Sequence, residues 1–107
     1  MKKVIIESPY AGNIEQNIKY ARACLKDSLS RGEAPLASHL LYTQDGVLDD
    51  GIKAERMQGI NAGLDWLEVA DLHVFYIDYG MSKGMECARR FSMGSGVKVE
   101  YRKLVEL

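Results

Sequence analysis

Cysteine is scarce in this sequence, and its placement excludes several classes of protein. The two cysteines among 107 residues, Cys24 and Cys87, form no C-x-x-C pair and have no spacing typical of metal ligands. Both fall in predicted helices. We therefore expect two reduced, structural thiols in an intracellular protein, with no disulfide framework and no metal site.

The sequence also lacks an excess of charge of either sign. Its 14 Lys and Arg residues are balanced by 15 Asp and Glu residues, so the net charge of −1 provides no basic field for nucleic acid or an anionic membrane. No run approaches the roughly 20 apolar residues of a membrane-spanning helix, and the opening apolar run is too short for a signal peptide. We expect a cytoplasmic protein with a single domain, residues 1–107, and with neither a nucleic acid nor a membrane as partner.

Short apolar runs alternate with helical patterns along the chain. Runs rich in β-branched or other apolar residues predict strands at 4–6, 34–37, 72–77 and 97–101. Helices are predicted from the capping residue Asn13 to Gly32, over 53–70, and from Ser82 to about residue 93. Residues 38–51 are expected to form a long loop, a kind of segment that often carries function. Pro35 places the second strand at a sheet edge.

Apolar spacing within the first two helices indicates which faces are buried. In the first helix one stripe recurs at spacings of three and four, comprising Ile14, Ile18, Ala21, Leu25 and Leu29. In the second helix the expected buried residues are Met57, Ile60, Leu64 and Leu67. Gly59 and Gly63 lie on that helix, four residues apart. Since each glycine costs about 1 kcal/mol there relative to alanine, we expect another backbone to approach closely.

The alternation of strands and helices predicts an α/β fold. It favours a mainly parallel sheet with right-handed crossovers and helices on both faces. In such sheets ligands bind outside the carboxyl ends of the strands. Those ends are the segments 8–10, 38–39 and 78–80, so we expect the functional side chains to gather there.

Residues 81–88 form the most informative stretch. A strand that leads directly into a helix N-terminus presents free N–H groups and the positive end of the helix dipole, which together favour an anion. Ser82 can cap this helix, and Lys83, Gly84 and Met85 follow it. We predict that these four residues bind an anionic group, with ordinary helix capping as the alternative. Glu86 lies in the same turn, either as a catalytic carboxylate or as a glutamate that only stabilises its helix.

Other polar residues at the strand ends have two interpretations each. Tyr10 can stack on a base or sugar or pack over the first loop. His39 can contact a ligand or transfer a proton, or can be a structural histidine. Asp78 can bind a sugar hydroxyl and assist catalysis, or can shape the turn. The loop at 40–51 is expected to be a lid or a partner contact.

Several of these stretches resemble one known family. They are S-P-Y-A-G at positions 8–12, A-S-H-L-L-Y-T-Q at 37–44, Ala70-Asp71 before the third strand, and Ser82-x-Gly84-Met85. Together they resemble the nucleoside 2-deoxyribosyltransferase-like superfamily, and in particular its small, mostly phage-borne members of uncharacterised function. The resemblance covers nearly the whole chain.

The resemblance implies a flavodoxin/Rossmann-like three-layer domain with about four strands, assembled as a homo-oligomer without a cofactor. It implies that a nucleoside or nucleotide binds at the strand ends, near Ser8, Pro9, Tyr10, Gly12, Ser38 and His39. Enzymes of the superfamily use a helix-borne glutamate that attacks the anomeric carbon of deoxyribose.

Two alignments of that helix remain open. In one, Gly84-Met85-Glu86 matches the transferases' Gly-x-Glu, and Glu86 is the nucleophile of a deoxyribosyltransferase or N-glycosidase. In the other, which keeps the small phage proteins aligned without gaps, the glutamate is replaced by Ala88 and no nucleophile is present. The second alignment favours a non-catalytic protein that binds a nucleotide-type ligand in order to sequester or sense it.

Overall fold

Four parallel strands form one sheet in the order β2-β1-β3-β4 in the computed structural model, which describes residues 1–104. The strands are β1 (Lys3–Glu7), β2 (Ala34–Leu36), β3 (Leu72–Tyr76) and β4 (Lys98–Arg102). All three strand pairings are parallel, which confirms the predicted α/β fold. β2 lies at one edge, where the missing N–H of Pro35 is tolerated.

Four α-helices connect the strands. They are α1 (Ile14–Ser30), α2 (Ser38–Leu41), α3 (Lys53–Asp65) and α4 (Lys83–Ser95). The predicted caps are present, because Asn13 Oδ1 accepts from Gln16 N at 3.2 Å and Ser82 Oγ accepts from Met85 N at 3.2 Å. The predicted helix 53–70 is α-helical only to Asp65 and then tightens into a 3₁₀-helix, Trp66–Val69, as helices often do in their last turn.

The helices pack on both faces of the sheet and form three layers. On one face, Val4 and Ile6 of β1 and Val74 of β3 pack against Tyr20 and Cys24 of α1. On the other face, Phe75 of β3 packs against Met85 and Ala88 of α4, with Leu64 of α3 beside them. This division follows from the right-handed crossovers, because β1 to β2 and β2 to β3 run in opposite directions across the sheet.

The buried face of α1 differs from the predicted apolar stripe. Ile14 and Leu29, at the two ends of the stripe, are 44% and 59% exposed, so the expectation was wrong for them, whereas Ala21 is buried and Leu25 packs against the core. The buried residues of α1 are Asn17, Tyr20, Ala21, Cys24 and Ser28. Three of them are polar and keep hydrogen bonds, as when Asn17 Nδ2 donates to the carbonyl of Tyr10 at 2.9 Å. Burial of a satisfied polar face cannot be found by counting apolar residues.

The region between β2 and β3 is more ordered than predicted. The expected loop at 38–51 begins with the helical turn α2, and the side chain of Thr43 donates back to the carbonyl of His39 at 2.6 Å. Gly63 is buried against Ser38, because a Cβ at this position would lie 2.8 Å from the Ser38 Cβ. The predicted close approach is therefore real, but the partner is a side chain. Met57, expected inside, is 46% exposed.

The two cysteines have different surroundings. Cys24 is buried, Cys87 is exposed, and both are free thiols. Burial raises the pKa of the Cys24 thiol to about 12, so this thiol is a packing group. The expectation that both thiols are structural is wrong for Cys87, because this residue is exposed. Within residues 1–104 no helix is both long and apolar enough to cross a membrane.

Candidate functional site

A cavity of about 430 Å³ opens at the carboxyl ends of the strands. It lies between the end of β1, the turn α2, the helix α3 and the first turn of α4. Eight predicted ligand-binding residues line it: Ser8, Tyr10, Ser38, His39, Ser82, Lys83, Gly84 and Met85. The volume falls within the range of about 300 to 1,000 Å³ that is usual for small-molecule sites.

The first turn of α4 forms one wall of the cavity. Ser82 caps the helix, and the next two residues, Lys83 and Gly84, contribute N–H groups that have no acceptor within the helix. Gly84 has no side chain, so a ligand can approach its backbone. Lys83 adds a positive charge to the helix dipole at the same place. This wall is suited to an anionic group.

Buried Ser8 and half-buried His39 form a pair at the sheet side of the cavity. The Ser8 Oγ lies 2.6 Å from the His39 Nε2. Burial lowers the pKa of His39 below its usual range, so the imidazole is neutral at pH 7. Its Nδ1 is buried and has no hydrogen-bond partner in the part of the chain that is described. An unpaired lone pair on Nδ1 costs less free energy there than an unpaired N–H would. We therefore assign the ring proton to Nε2, which donates it to the Ser8 Oγ, and the Ser8 hydroxyl hydrogen then points into the cavity.

The segment from α2 to α3 supplies the wall opposite the sheet. Tyr42, Ile60 and Leu64 give it an aromatic and apolar surface, to which Tyr10 adds a second ring. The Tyr42 hydroxyl accepts from Trp66 Nε1 at 2.9 Å, which holds the ring in place. A flat ring system can lie against such a surface.

Charged residues that the sequence did not single out also line the cavity. They are Glu7, Asp50, Glu55 and Arg56. Glu7 follows Ile5 by two positions in β1 and so shares its face, a signal that strand alternation could have given. Arg56 precedes Ile60 by four positions and therefore shares its face of α3. Within residues 1–104 no group of His, Cys, Asp and Glu side chains could hold a metal ion.

Four predicted site residues lie outside the cavity lining: Pro9, Gly12, Asp78 and Glu86. Pro9 is buried, and Gly12 is an exposed turn residue with a φ of +99°. Asp78 accepts from the Tyr20 hydroxyl at 2.5 Å and from the backbone N–H of Leu104 at 2.9 Å. These bonds tie the end of β3 to α1 and to the residues after β4. They favour the structural role of Asp78 over the predicted contact with a sugar hydroxyl.

Glu86 and Ala88 occupy different sides of α4. The Glu86 carboxylate accepts from the Arg89 guanidinium at 2.6 Å, and its side chain is 36% exposed. Ala88 is buried and lines the cavity. The position that lines the cavity, Ala88, thus carries a methyl group, and the carboxylate two residues earlier, Glu86, is paired with Arg89.

Comparisons with known proteins agree with the predicted superfamily at the level of fold. A family model described as a domain of unknown function (DUF7768) matches residues 2–102. No curated protein sequence matches the chain significantly. Among solved structures, the 2-deoxyribosyltransferase from Bacillus psychrosaccharolyticus superposes with a TM-score of 0.72 at 16% identity, covering 98% of this chain and 74% of that one.

The 2-deoxyribosyltransferase from Leishmania mexicana superposes with a TM-score of 0.66 at 11% identity. The match covers 98% of this chain but 66% of the Leishmania chain, so the transferase has a third of its length outside the shared fold. At these identities the likeness establishes the three-layer fold. The resemblance to phage-borne members, the homo-oligomer and the cytoplasmic location stay predictions.

Proposed function

Because this chain belongs to the DUF7768 family, a domain of unknown function, its activity has to be argued from its own cavity, and we propose that it binds a nucleoside or nucleotide there without turning it over. The phosphate of a nucleotide would lie at the first turn of α4. The base would lie against the aromatic wall of Tyr10 and Tyr42. Sequestration of a nucleotide signal is the biological role that fits such a binder.

The observation that carries this proposal is the contrast within α4. Its first turn, with Lys83 and Gly84, offers an anion the backbone and side-chain groups that it needs. One turn further along the same helix, Ala88 gives the cavity an inert wall. The helix α4 therefore offers groups that can bind an anion, but it presents no carboxylate to the cavity for cleavage of a glycosidic bond.

The enzymatic alternative depends on Glu86. An N-glycosidase or deoxyribosyltransferase needs a carboxylate on the face of the sugar opposite the departing base. Glu86 is not among the cavity residues, and its carboxylate is paired with Arg89 on the same helix. The structural neighbours are transferases by name, and that likeness supports a nucleoside-type ligand for this chain more than it supports turnover.

One experiment tests the proposal against the alternative. The protein is incubated with nucleosides, 2′-deoxynucleosides and their monophosphates, and chromatography measures both retained ligand and free base. We expect an intact ligand to be retained with no base released, by the wild type and by Glu86→Gln alike. Base release by the wild type that Glu86→Gln abolishes would overturn the proposal in favour of the enzyme, and a lack of retention of every compound would remove it.

A further inference from the structure

Glu7 is a largely buried carboxylate of the cavity that is only partly paired. Its side chain is 15% exposed, and its Oε2 accepts from His73 Nε2 at 2.8 Å. The other oxygen, Oε1, accepts no hydrogen bond from residues 1–104. A largely buried carboxylate is stabilised when several donors surround it, so Glu7 has an unused acceptor in a cavity that it lines.

His73 holds this carboxylate in place. It lies on β3, next to β1, and is fully buried with its ring 4.5 Å from that of Phe75. Since a carboxylate only accepts hydrogen bonds, His73 Nε2 must carry the proton that it donates. The His73 Nδ1 is buried and without a hydrogen-bond partner in the described part of the chain. The orientation of Glu7 is therefore set from the sheet, before any ligand arrives.

The charges around the cavity limit which part of a nucleotide can lie against the Glu7 carboxylate. A phosphate at Lys83 and Gly84 would be repelled by a carboxylate in contact with it. The aromatic surface of Tyr10 and Tyr42 belongs to the loops and not to the sheet. The part of a nucleotide between its phosphate and its base is the sugar, an uncharged polyol whose hydroxyl groups donate hydrogen bonds.

Resting on the proposed function, we infer that Glu7 accepts a hydrogen bond from a ribose hydroxyl, 2′ or 3′, and that His73 is its positioning residue. The ligand is then a ribonucleotide, distinguished from its deoxy counterparts by a charge-assisted hydrogen bond. Such a bond is worth about a tenfold difference in affinity or more.

The test measures sugar selectivity by calorimetric titration of the full chain. The probes are AMP, GMP, CMP and UMP, each with its 2′-deoxy and 3′-deoxy form. For the best-binding base we expect at least one deoxy form to bind the wild type about ten times more weakly. Glu7→Gln should bind the ribonucleotide more weakly than the wild type does, and the affinity ratio between the ribose and deoxy forms should fall to within about twofold. Glu68→Gln, an exposed glutamate outside the cavity, should keep the wild-type ratio.

Each remaining result contradicts the inference in a separate way. Equal affinity of the wild type for ribose and both deoxy forms shows that no sugar hydroxyl is recognised, and it needs no variant. An unchanged sugar ratio in a folded Glu7→Gln, or a changed preference among bases alone, assigns Glu7 to the base or to structure. If Glu7→Gln does not fold, Glu7→Asp, which withdraws the carboxylate by one methylene, should lower the ratio. Absence of binding by every probe ends the proposed function itself.

Discussion

Glu86 and Ala88 leave α4 in directions about 200° apart, and of the two only Ala88 reaches the cavity. Two alignments of the same helix had given opposite answers about catalysis from the sequence. The two positions lie on different sides of one helix, so a carboxylate at 86 cannot substitute for one at 88. The consequences of this arrangement for binding and stability can be measured.

Lys83 should contribute to affinity only for phosphorylated ligands. We expect Lys83→Gln to weaken the binding of a nucleoside monophosphate by up to about fivefold at low salt, because one exposed charge near the helix N-terminus contributes up to about 1 kcal/mol. The corresponding nucleoside should bind unchanged. Lys53→Gln is the matched control, since Lys53 begins α3 and lies outside the cavity. An equal loss for nucleoside and nucleotide would contradict the phosphate position.

Gly63 should tolerate no side chain. A Cβ there would lie 2.8 Å from the Ser38 Cβ, so Gly63→Ala must displace α2 and one side of the cavity. We expect it to lower the free energy of unfolding by about 1 to 3 kcal/mol, as measured by urea denaturation, and to weaken ligand binding. Gly94→Ala, on an open part of α4 with nothing within 4 Å of its Cβ, should be neutral or stabilising by up to about 1 kcal/mol. Equal effects of the two substitutions would disprove the close contact.

His39 should make stability depend on pH. Burial lowers its pKa below the ordinary value of 6.5, so between the folded and unfolded pKa values the unfolded chain binds more protons. Stability is then fully present above about pH 6.5 and falls as the pH drops below it. We expect urea denaturation to show a shallower loss between pH 7.5 and 5.5 in His39→Gln than in the wild type. The second histidine, His73, is fully buried and is present in both the wild type and His39→Gln, so its contribution is the same in both. Identical slopes of stability against pH would contradict the assignment of the effect to His39.

Arg102 and Glu33 should form the costliest ion pair to break. The Arg102 guanidinium donates to both Glu33 oxygens, at 2.8 and 2.7 Å, and holds the pKa of that carboxyl below its usual range. Both side chains are nearly buried, so we expect Arg102→Gln to cost about 3 kcal/mol of unfolding free energy. Arg89→Gln breaks the exposed pair with Glu86 and should change the unfolding free energy little. Comparable losses in thermal denaturation would contradict this difference.

The parts of this fold that the sequence predicted are those with strong local signals. The β-branched run at Val4–Ile6, the caps Asn13 and Ser82, and the proline of β2 each have a local physical meaning. They sufficed for the parallel sheet and for the capped first turn of α4. The buried polar residues of α1 gave no such signal. A count of apolar residues does not reveal that Asn17 and Ser28 form hydrogen bonds in the folded chain.

The site was predicted in part for the same reason. Residues that directly follow a strand, such as Ser8 and Tyr10, could be placed at the cavity from topology alone. Arg56 and Ile60 could not, because the packing of α3 over the strand ends depends on contacts such as that of Gly63 with Ser38. The role of Asp78 likewise depends on Tyr20 and Leu104, which only the folded chain brings to it.

The stretch from Ser38 to Leu64 supplies more than half of the residues around the cavity. It is one continuous stretch between β2 and β3, whereas the first turn of α4 and the Glu7–His73 pair belong to the sheet and its connections. Most of the cavity wall therefore comes from a part of the chain outside the sheet, with Glu7 and Tyr10 among the exceptions. A change within this one stretch would reshape much of the wall while leaving the four strands as they are.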